Sequence, residues 1–326
     1  MRWVLGILIS ILLLVWAFHG VDFHPLMQTF AVMPLWPVLM MLIGLVLYFV
    51  IKALRWSFLL SPIGNYSTLS LLPAALIGNA VNFLFFGYVG EFVRAWLLSK
   101  EYSVKKGPVL MTIAMERIFD LWTLLLLLGL ATYISPALPP VIAKGGYIGA
   151  GLGLFATILA SLMVFCPKLM LKGIRRVIPI FPVRWHGPIL EEIEWLTKGL
   201  SSIAHPQLLL GLIVTSVLQW TLLCLISWFA TSAVGVVVPP WALLGPLFLA
   251  AIGVVLPSSP GQIGVIEISF VLGLSVWGVA REKALAAGLL YHAVVYISVI
   301  AVAFVIAKRK GLSWDALFSL FKKEKM

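Results

Sequence analysis

Two groups of ionisable residues interrupt apolar stretches of this 326-residue chain, and their spacing suits chemistry. Glu116 and Asp120 stand four apart and share one face of a helix, and Arg117, three before Asp120, can pair with it. A guanidinium gives bidentate hydrogen bonds to phosphate oxygens. Arg117 and Arg94 are therefore candidates to meet a lipid phosphate, with Glu116 and Asp120 holding the arginines in place or exchanging protons. The structural alternative is a self-satisfied ion cluster that joins two helices. Glu91 and Glu267 each follow a break in an apolar segment, where a carboxylate caps the exposed amides of a half-helix or carries protons. His292, next to Tyr291, belongs to the residue type whose charge changes near neutral pH, and reads either as a proton-coupled site or as a hydrogen-bonded packing residue. Asn79, Asn82, Ser258, Ser259 and Gln262 offer neutral donors and acceptors to a headgroup, or else satisfy unwound backbone.

The surroundings give these residues their weight. Apolar residues make up 62% of the chain and charged residues 11%, against roughly 25% charged in an average soluble domain. The apolar residues fall in blocks of about 17 to 25, the length that crosses a hydrocarbon core of about 30 Å as a helix. The sequence is that of an all-α polytopic membrane protein, which excludes a soluble enzyme, a secreted disulfide scaffold, a nucleic-acid reader and a disordered chain. Ionisable residues inside such spans cost roughly 2.5 to 3.5 kcal/mol each at the bilayer centre, and are functional candidates for that reason. Cys166 and Cys224 lie in apolar blocks and read as packing residues. With no metal-ligand spacing, nucleophile motif or phosphate loop, no metal and no cofactor are expected, and the chain reads as a non-enzyme.

Spans are predicted near 3–18, 33–54, 109–133, 146–166, 207–232 and 284–306. Residues 69–98 and 241–277 behave differently, being apolar at both ends but broken by Gly87-Tyr-Val-Gly90 and by Pro257-Ser-Ser-Pro-Gly261. Each half is about 15 residues, or about 22 Å of helix. Both regions are read as re-entrant hairpins, with kinked pairs of ordinary spans as the alternative. The hairpin and the span after it recur, Glu91 matching Glu267 and Glu116-Arg117 matching Tyr291-His292. One hairpin opens from the cytoplasm and the other from outside, which makes two inverted-topology repeats, about 33–133 and about 207–306, within a single transmembrane domain of residues 1–326.

Loops rich in Lys and Arg stay cytoplasmic. Both termini and a linker at about 168–205 are placed there, with Lys52 and Arg55 at the cytoplasmic end of a span and Arg281 and Lys283 outside. The linker and a tail helix at about 312–324 are amphipathic and are expected to float on anionic headgroups, which accounts for the net charge of +11 without nucleic acid. Trp3, Trp16, Trp36, Trp56, Trp241 and Trp277, near span ends, read as an aromatic belt.

Through Asn82-x7-Gly90-Glu91-x2-Arg94, then Glu116-Arg117-x2-Asp120, then Leu256-Pro-Ser-Ser-Pro-Gly-Gln-Ile-Gly-Val-Ile-Glu267, nearly the whole chain resembles the lysylphosphatidylglycerol synthase transmembrane region, also called the flippase-like or UPF0104 family. It departs from that pattern at Phe86 and Tyr88, where the family has Pro and Arg before Gly-Glu, and at His292, where the last span carries Arg. The last change exchanges an always-charged side chain for a titratable one. The soluble aminoacyl-transferase domain of the two-part relatives is not among these residues, so the resemblance implies no lysyl transfer.

The resulting expectation is a flippase or transporter that moves an anionic or amphipathic lipid between leaflets of a bacterial or archaeal cytoplasmic membrane, the lipid being a phospholipid, a polyprenyl-phosphate-linked lipid or of hopanoid type. Its partners are that lipid and the anionic headgroups of the cytoplasmic face. Two other readings stay open: an integral membrane enzyme using Glu116, Asp120 or His292 as acid or base in headgroup transfer, and an accessory subunit of a lipid-modifying partner.

Overall fold

The computed structural model describes residues 2–85, 89–134, 206–253 and 260–312, with 151, 172–173, 176, 178–180, 186–187 and 190. Its α-helices there include α1 (Arg2–Phe18), α2 (Phe23–Ala31), α3 (Trp36–Leu60), α4 (Thr68–Leu84), α5 (Val89–Tyr102), α6 (Lys106–Ile134), α7 (Pro206–Ala233), α8 (Leu244–Gly253), α9 (Val265–Ser275) and α10 (Arg281–Arg309). No strand occurs among the described residues, in keeping with the all-α expectation. Among the described residues three helices, α3, α7 and α10, are long and apolar enough to cross a membrane, and α1 with α2, bent by 85°, would make a fourth. The expected span at 146–166, the linker at 168–205 and the tail helix at 312–324 fall wholly or largely outside the described residues, as do Gly87, Ser258 and Ser259.

Local chemistry sets the helix ends. Asp22 accepts the His24 N–H at 2.9 Å and starts α2, and the Ser67 hydroxyl accepts the Ser70 N–H at 3.2 Å and starts α4. Pro108 and Pro206 stand in the first turns of α6 and α7, where a missing N–H costs nothing. At the other end of α3, the N–H groups of Ile63 and Gly64 close on the Leu60 carbonyl at 2.8 and 3.0 Å. That helix is longer than the expected 33–54 span, and Lys52 and Arg55 lie within it, buried, instead of marking its cytoplasmic end. They continue the buried stripe of Met41, Leu45 and Phe49 and find acidic partners there. Trp56 also leaves the expected belt: it is fully buried and donates its indole N–H to the Thr112 hydroxyl at 3.1 Å. Trp16, Trp36 and Trp241 are exposed, as a belt requires.

The chain forms two compact units, one of Met1–Val50, Leu72–Leu97 and Thr221–Met326, the other of Ile51–Leu71 and Leu98–Trp220. In the first, α9 packs against α1, α8 and α10, and α2 packs on α10. Eleven residues give α9 a length of about 16 Å, half of a hydrocarbon core. The start of α10 is tied to the end of α1 by Arg281, whose guanidinium lies 4.7 Å from the Trp16 ring centroid and donates to the carbonyls of Trp16 and, at 3.3 Å, Ala17. Those carbonyls lie in the last turn of α1, where intrahelical donors run out, and the Trp16 carbonyl also accepts the His19 N–H at 3.4 Å. Gly78 of α4 meets Gly90 of α5 backbone to backbone; a Cβ on Gly90 would lie 1.8 Å from the Gly78 oxygen, so only glycine fits. In the second unit, the last turns of α3, all of α6 and the start of α7 present polar faces to one another.

Candidate functional site

On the second unit's helices the buried faces are polar at helical spacing. Lys52, Arg55 and Trp56 on α3, Glu116 and Asp120 on α6, and Ser216 and Gln219 on α7 come together. Lys52 Nζ donates to Glu116 Oε1 at 2.7 Å, and Arg55 Nη2 donates to the same oxygen at 3.2 Å. Arg55 Nη1 donates to Asp120 Oδ1 at 2.7 Å and to Ser216 Oγ at 3.2 Å, and Gln219 Nε2 reaches Asp120 Oδ1 at 3.5 Å. Arg117 takes a looser place, 3.5 Å from Asp120 Oδ2 and 3.9 Å from Glu116 Oε1, with 42% of its side chain exposed. The side chains of Lys52, Arg55 and Glu116 are 1%, 0% and 0% exposed. An interhelical polar contact in a bilayer contributes on average about 0.6 kcal/mol and at most about 2.

The first unit holds the two helix breaks, each closed by a side chain. Between α4 and α5, the Gly90 N–H donates to Asn82 Oδ1 at 2.7 Å, so a residue of one helix caps the next. Asn82 Nδ2 reaches Glu91 Oε1 at 3.4 Å, and Glu91 Oε2 pairs with Arg94 Nη1 at 3.4 Å; the Arg94 side chain is fully buried. Before α9 the backbone turns through Gly261, Gln262 and Gly264, all at positive φ, of which Gln262 at 56° is a strained position for a residue with a Cβ. Gly264, at φ 88°, could not carry a Cβ, which would lie 2.9 Å from the Ser10 carbonyl oxygen. Its N–H donates to Glu267 Oε2 at 2.7 Å. Glu267 Oε1 lies 2.6 Å from His292 Nδ1, and the His292 ring stands edge-on to Tyr296 at 4.1 Å. Tyr296 stacks on Phe83, 3.8 Å between centroids, and a Cβ on Gly261 would lie 3.4 Å from the Phe83 oxygen, so the end of α4 and the turn before α9 meet around these two rings.

The residues singled out from sequence thus divide. Glu116, Arg117 and Asp120 gather with Lys52, Arg55, Ser216 and Gln219, which sequence reasoning put elsewhere or passed over. Asn82, Glu91 and Arg94 form a second group, and Glu267 with His292 a third. Asn79 donates to the Ala75 carbonyl of its own helix at 2.8 Å. Ser258 and Ser259 lie outside the described residues. The signal for Lys52 and Arg55 was present in the spacing, because positions 52, 55, 56 and 59 prolong the buried stripe of α3 through i, i+3, i+4 and i+7.

The family described as the lysylphosphatidylglycerol synthase TM region matches residues 3–303. The protein named glycosyltransferase AglD, from Haloferax volcanii, is 27% identical over 278 residues, covering 75% of this chain and 44% of that protein. The chain therefore spans less than half the length of the curated relative it matches. That relative's name overturns the expectation of a non-enzyme, since three-quarters of this chain aligns with a protein called a glycosyltransferase.

Proposed function

Because the chain belongs to the family of the lysylphosphatidylglycerol synthase transmembrane region, we propose that this integral membrane protein carries an anionic or amphipathic lipid between leaflets as the membrane part of a headgroup-transfer system. The link to transfer chemistry comes from the name of AglD. The observation that carries the reading is the pair of short helices α5 and α9, whose first two turns hold the buried side chains Glu91, Arg94 and Glu267. Irregular backbone at membrane depth is tolerated only where protein or a cavity covers it, and such breaks supply substrate contacts in alternating-access carriers. On this reading the two breaks belong to re-entrant hairpins of inverted topology, both termini are cytoplasmic, and Arg94, oriented by Glu91, meets the lipid phosphate.

The test is translocation by the purified full chain in liposomes containing acyl-labelled phosphatidylglycerol, with chemical quenching of the outer leaflet. Protein-containing liposomes should expose the inner-leaflet label, and Arg94→Gln should remove that effect. Label distribution equal to that of empty liposomes would overturn the proposal. A second reading is favoured by the contact between Glu267 and His292: a carboxylate on Nδ1 orients an imidazole as in a general base. Loss of a modified lipid product in His292→Gln, with translocation intact, would select it.

A further inference from the structure

The charged centre of the second unit has the donor set of an anion site. One carboxylate, Asp120, lies between two guanidinium groups, with Oδ1 on Arg55 and Oδ2 facing Arg117, and Gln219 adds an amide N–H to Oδ1. Two guanidiniums and an amide arranged around two oxygens are what a phosphate group takes, because guanidinium matches its oxygens bidentately. The centre is also graded. Arg117 is 42% exposed and the Asp120 side chain 12%, whereas Lys52, Arg55 and Glu116 close the floor. Asp120 Oδ1 is held by Arg55 at 2.7 Å, whereas Oδ2 faces the partly exposed Arg117 at 3.5 Å, so Arg117 is the loosely held wall of the site and the Oδ2 side is where an incoming anion would compete.

We propose that this centre is an exchangeable anion site, in which a phosphate group replaces the Asp120 carboxylate between Arg55 and Arg117, with Gln219 donating to it and Glu116 keeping Lys52 and Arg55 in position. Asp120 is the internal stand-in that fills the site between ligands. Only the source of the phosphate, a lipid headgroup or a soluble ion, rests on the lipid-carrier reading.

The experiment is thermal unfolding of the purified full chain in an uncharged detergent, titrated with inorganic phosphate, with short-chain phosphatidylglycerol in mixed micelles, and with sodium chloride at equal ionic strength. Phosphate or phosphatidylglycerol should raise the unfolding temperature and chloride should not. Asp120→Asn keeps the shape and removes the competing charge; it should lower the half-saturating concentration about tenfold, the scale of one charged hydrogen bond. A purely structural ion network gives the opposite sign, a less stable Asp120→Asn protein without gained anion response, and that result overturns the proposal. Should Asp120→Asn fail to fold, the partly exposed Arg117→Gln decides: the proposal requires the anion response to vanish, and an unchanged response overturns it. An equal response to chloride also overturns it. Stabilisation by inorganic phosphate alone assigns a soluble ion, and stabilisation by phosphatidylglycerol alone a headgroup. A chain that binds phosphate but fails to translocate lipid refutes the carrier reading and leaves this site standing.

Discussion

Glu267 joins a turn to a helix: one carboxylate oxygen accepts the Gly264 N–H at 2.7 Å and the other lies 2.6 Å from His292 Nδ1 on α10. A backbone turn with positive φ at Gly261, Gln262 and Gly264 is thereby fastened to a side chain on a different helix.

Removal of that carboxylate should cost stability in steps. Glu267→Gln keeps an oxygen for the Gly264 N–H and should cost less than Glu267→Ala, which loses the cap, worth roughly 1 kcal/mol, as well as the histidine contact. Thermal unfolding in detergent reads the order. Equal losses for the two variants would show that the cap contributes nothing.

The glycine contact between α4 and α5 should be intolerant of a single methyl. Gly90→Ala puts a Cβ against the Gly78 oxygen, and overpacking of this kind costs about 1–3 kcal/mol. Gly129→Ala on α6 meets nothing within 4 Å and should gain up to about 1 kcal/mol from helix propensity. Size-exclusion profiles and unfolding temperatures should separate the two in opposite directions.

Lys52 and Glu116 should be energetically coupled. Lys52→Met leaves a buried carboxylate short of its nearest cation, a change that costs about 3–5 kcal/mol when a buried pair is broken. Adding Glu116→Gln should recover at least about 1 kcal/mol of that loss, the signature of directly interacting residues. Strict additivity in the double-mutant cycle would place the 2.7 Å contact outside the stability of the fold.

The two ends of α10 should face opposite compartments if both termini are cytoplasmic. In a chain without its native cysteines, a cysteine at Lys283 should react with an impermeant maleimide in intact cells, and one at Lys308 only after the cytoplasmic face is opened. The reverse pattern would invert the proposed orientation.

Much of this architecture is legible in the residue pattern, because a membrane punishes polar exposure so heavily that apolar block length alone locates α3, α7 and α10. The capping of a half-helix by Glu267 is legible too, since a carboxylate at the third position of a helix after a glycine turn has few other local tasks. What escaped was the identity of the cations that serve Glu116 and Asp120. Arg117 is adjacent in sequence and takes the loose contacts, whereas Lys52 and Arg55, more than sixty residues away, take the short ones. Charge counting put them at the cytoplasmic end of a span because it scores a basic residue by its neighbours along the chain. The position of Lys52 and Arg55 on the buried stripe of α3 carried the contrary signal, and a long-range partner was needed to interpret it. Gln219 and Ser216 are hidden for the same reason, being isolated polar residues in an apolar span until Asp120 of α6 and Arg55 of α3 supply something to bond.

The pairing of Glu91 with Arg94 three residues later in α5 has a consequence for biosynthesis. Two charges within one short helix can neutralise each other as soon as that helix forms, before any other helix has been made. An isolated arginine at that depth would hold α5 at the water interface, at roughly 2.5 to 3.5 kcal/mol on insertion scales. On the proposed re-entrant reading, with its counter-ion one turn away and Asn82 of the preceding helix already covering the Gly90 amide, α4 and α5 can leave the insertion machinery together, and the order of synthesis matches the order of assembly.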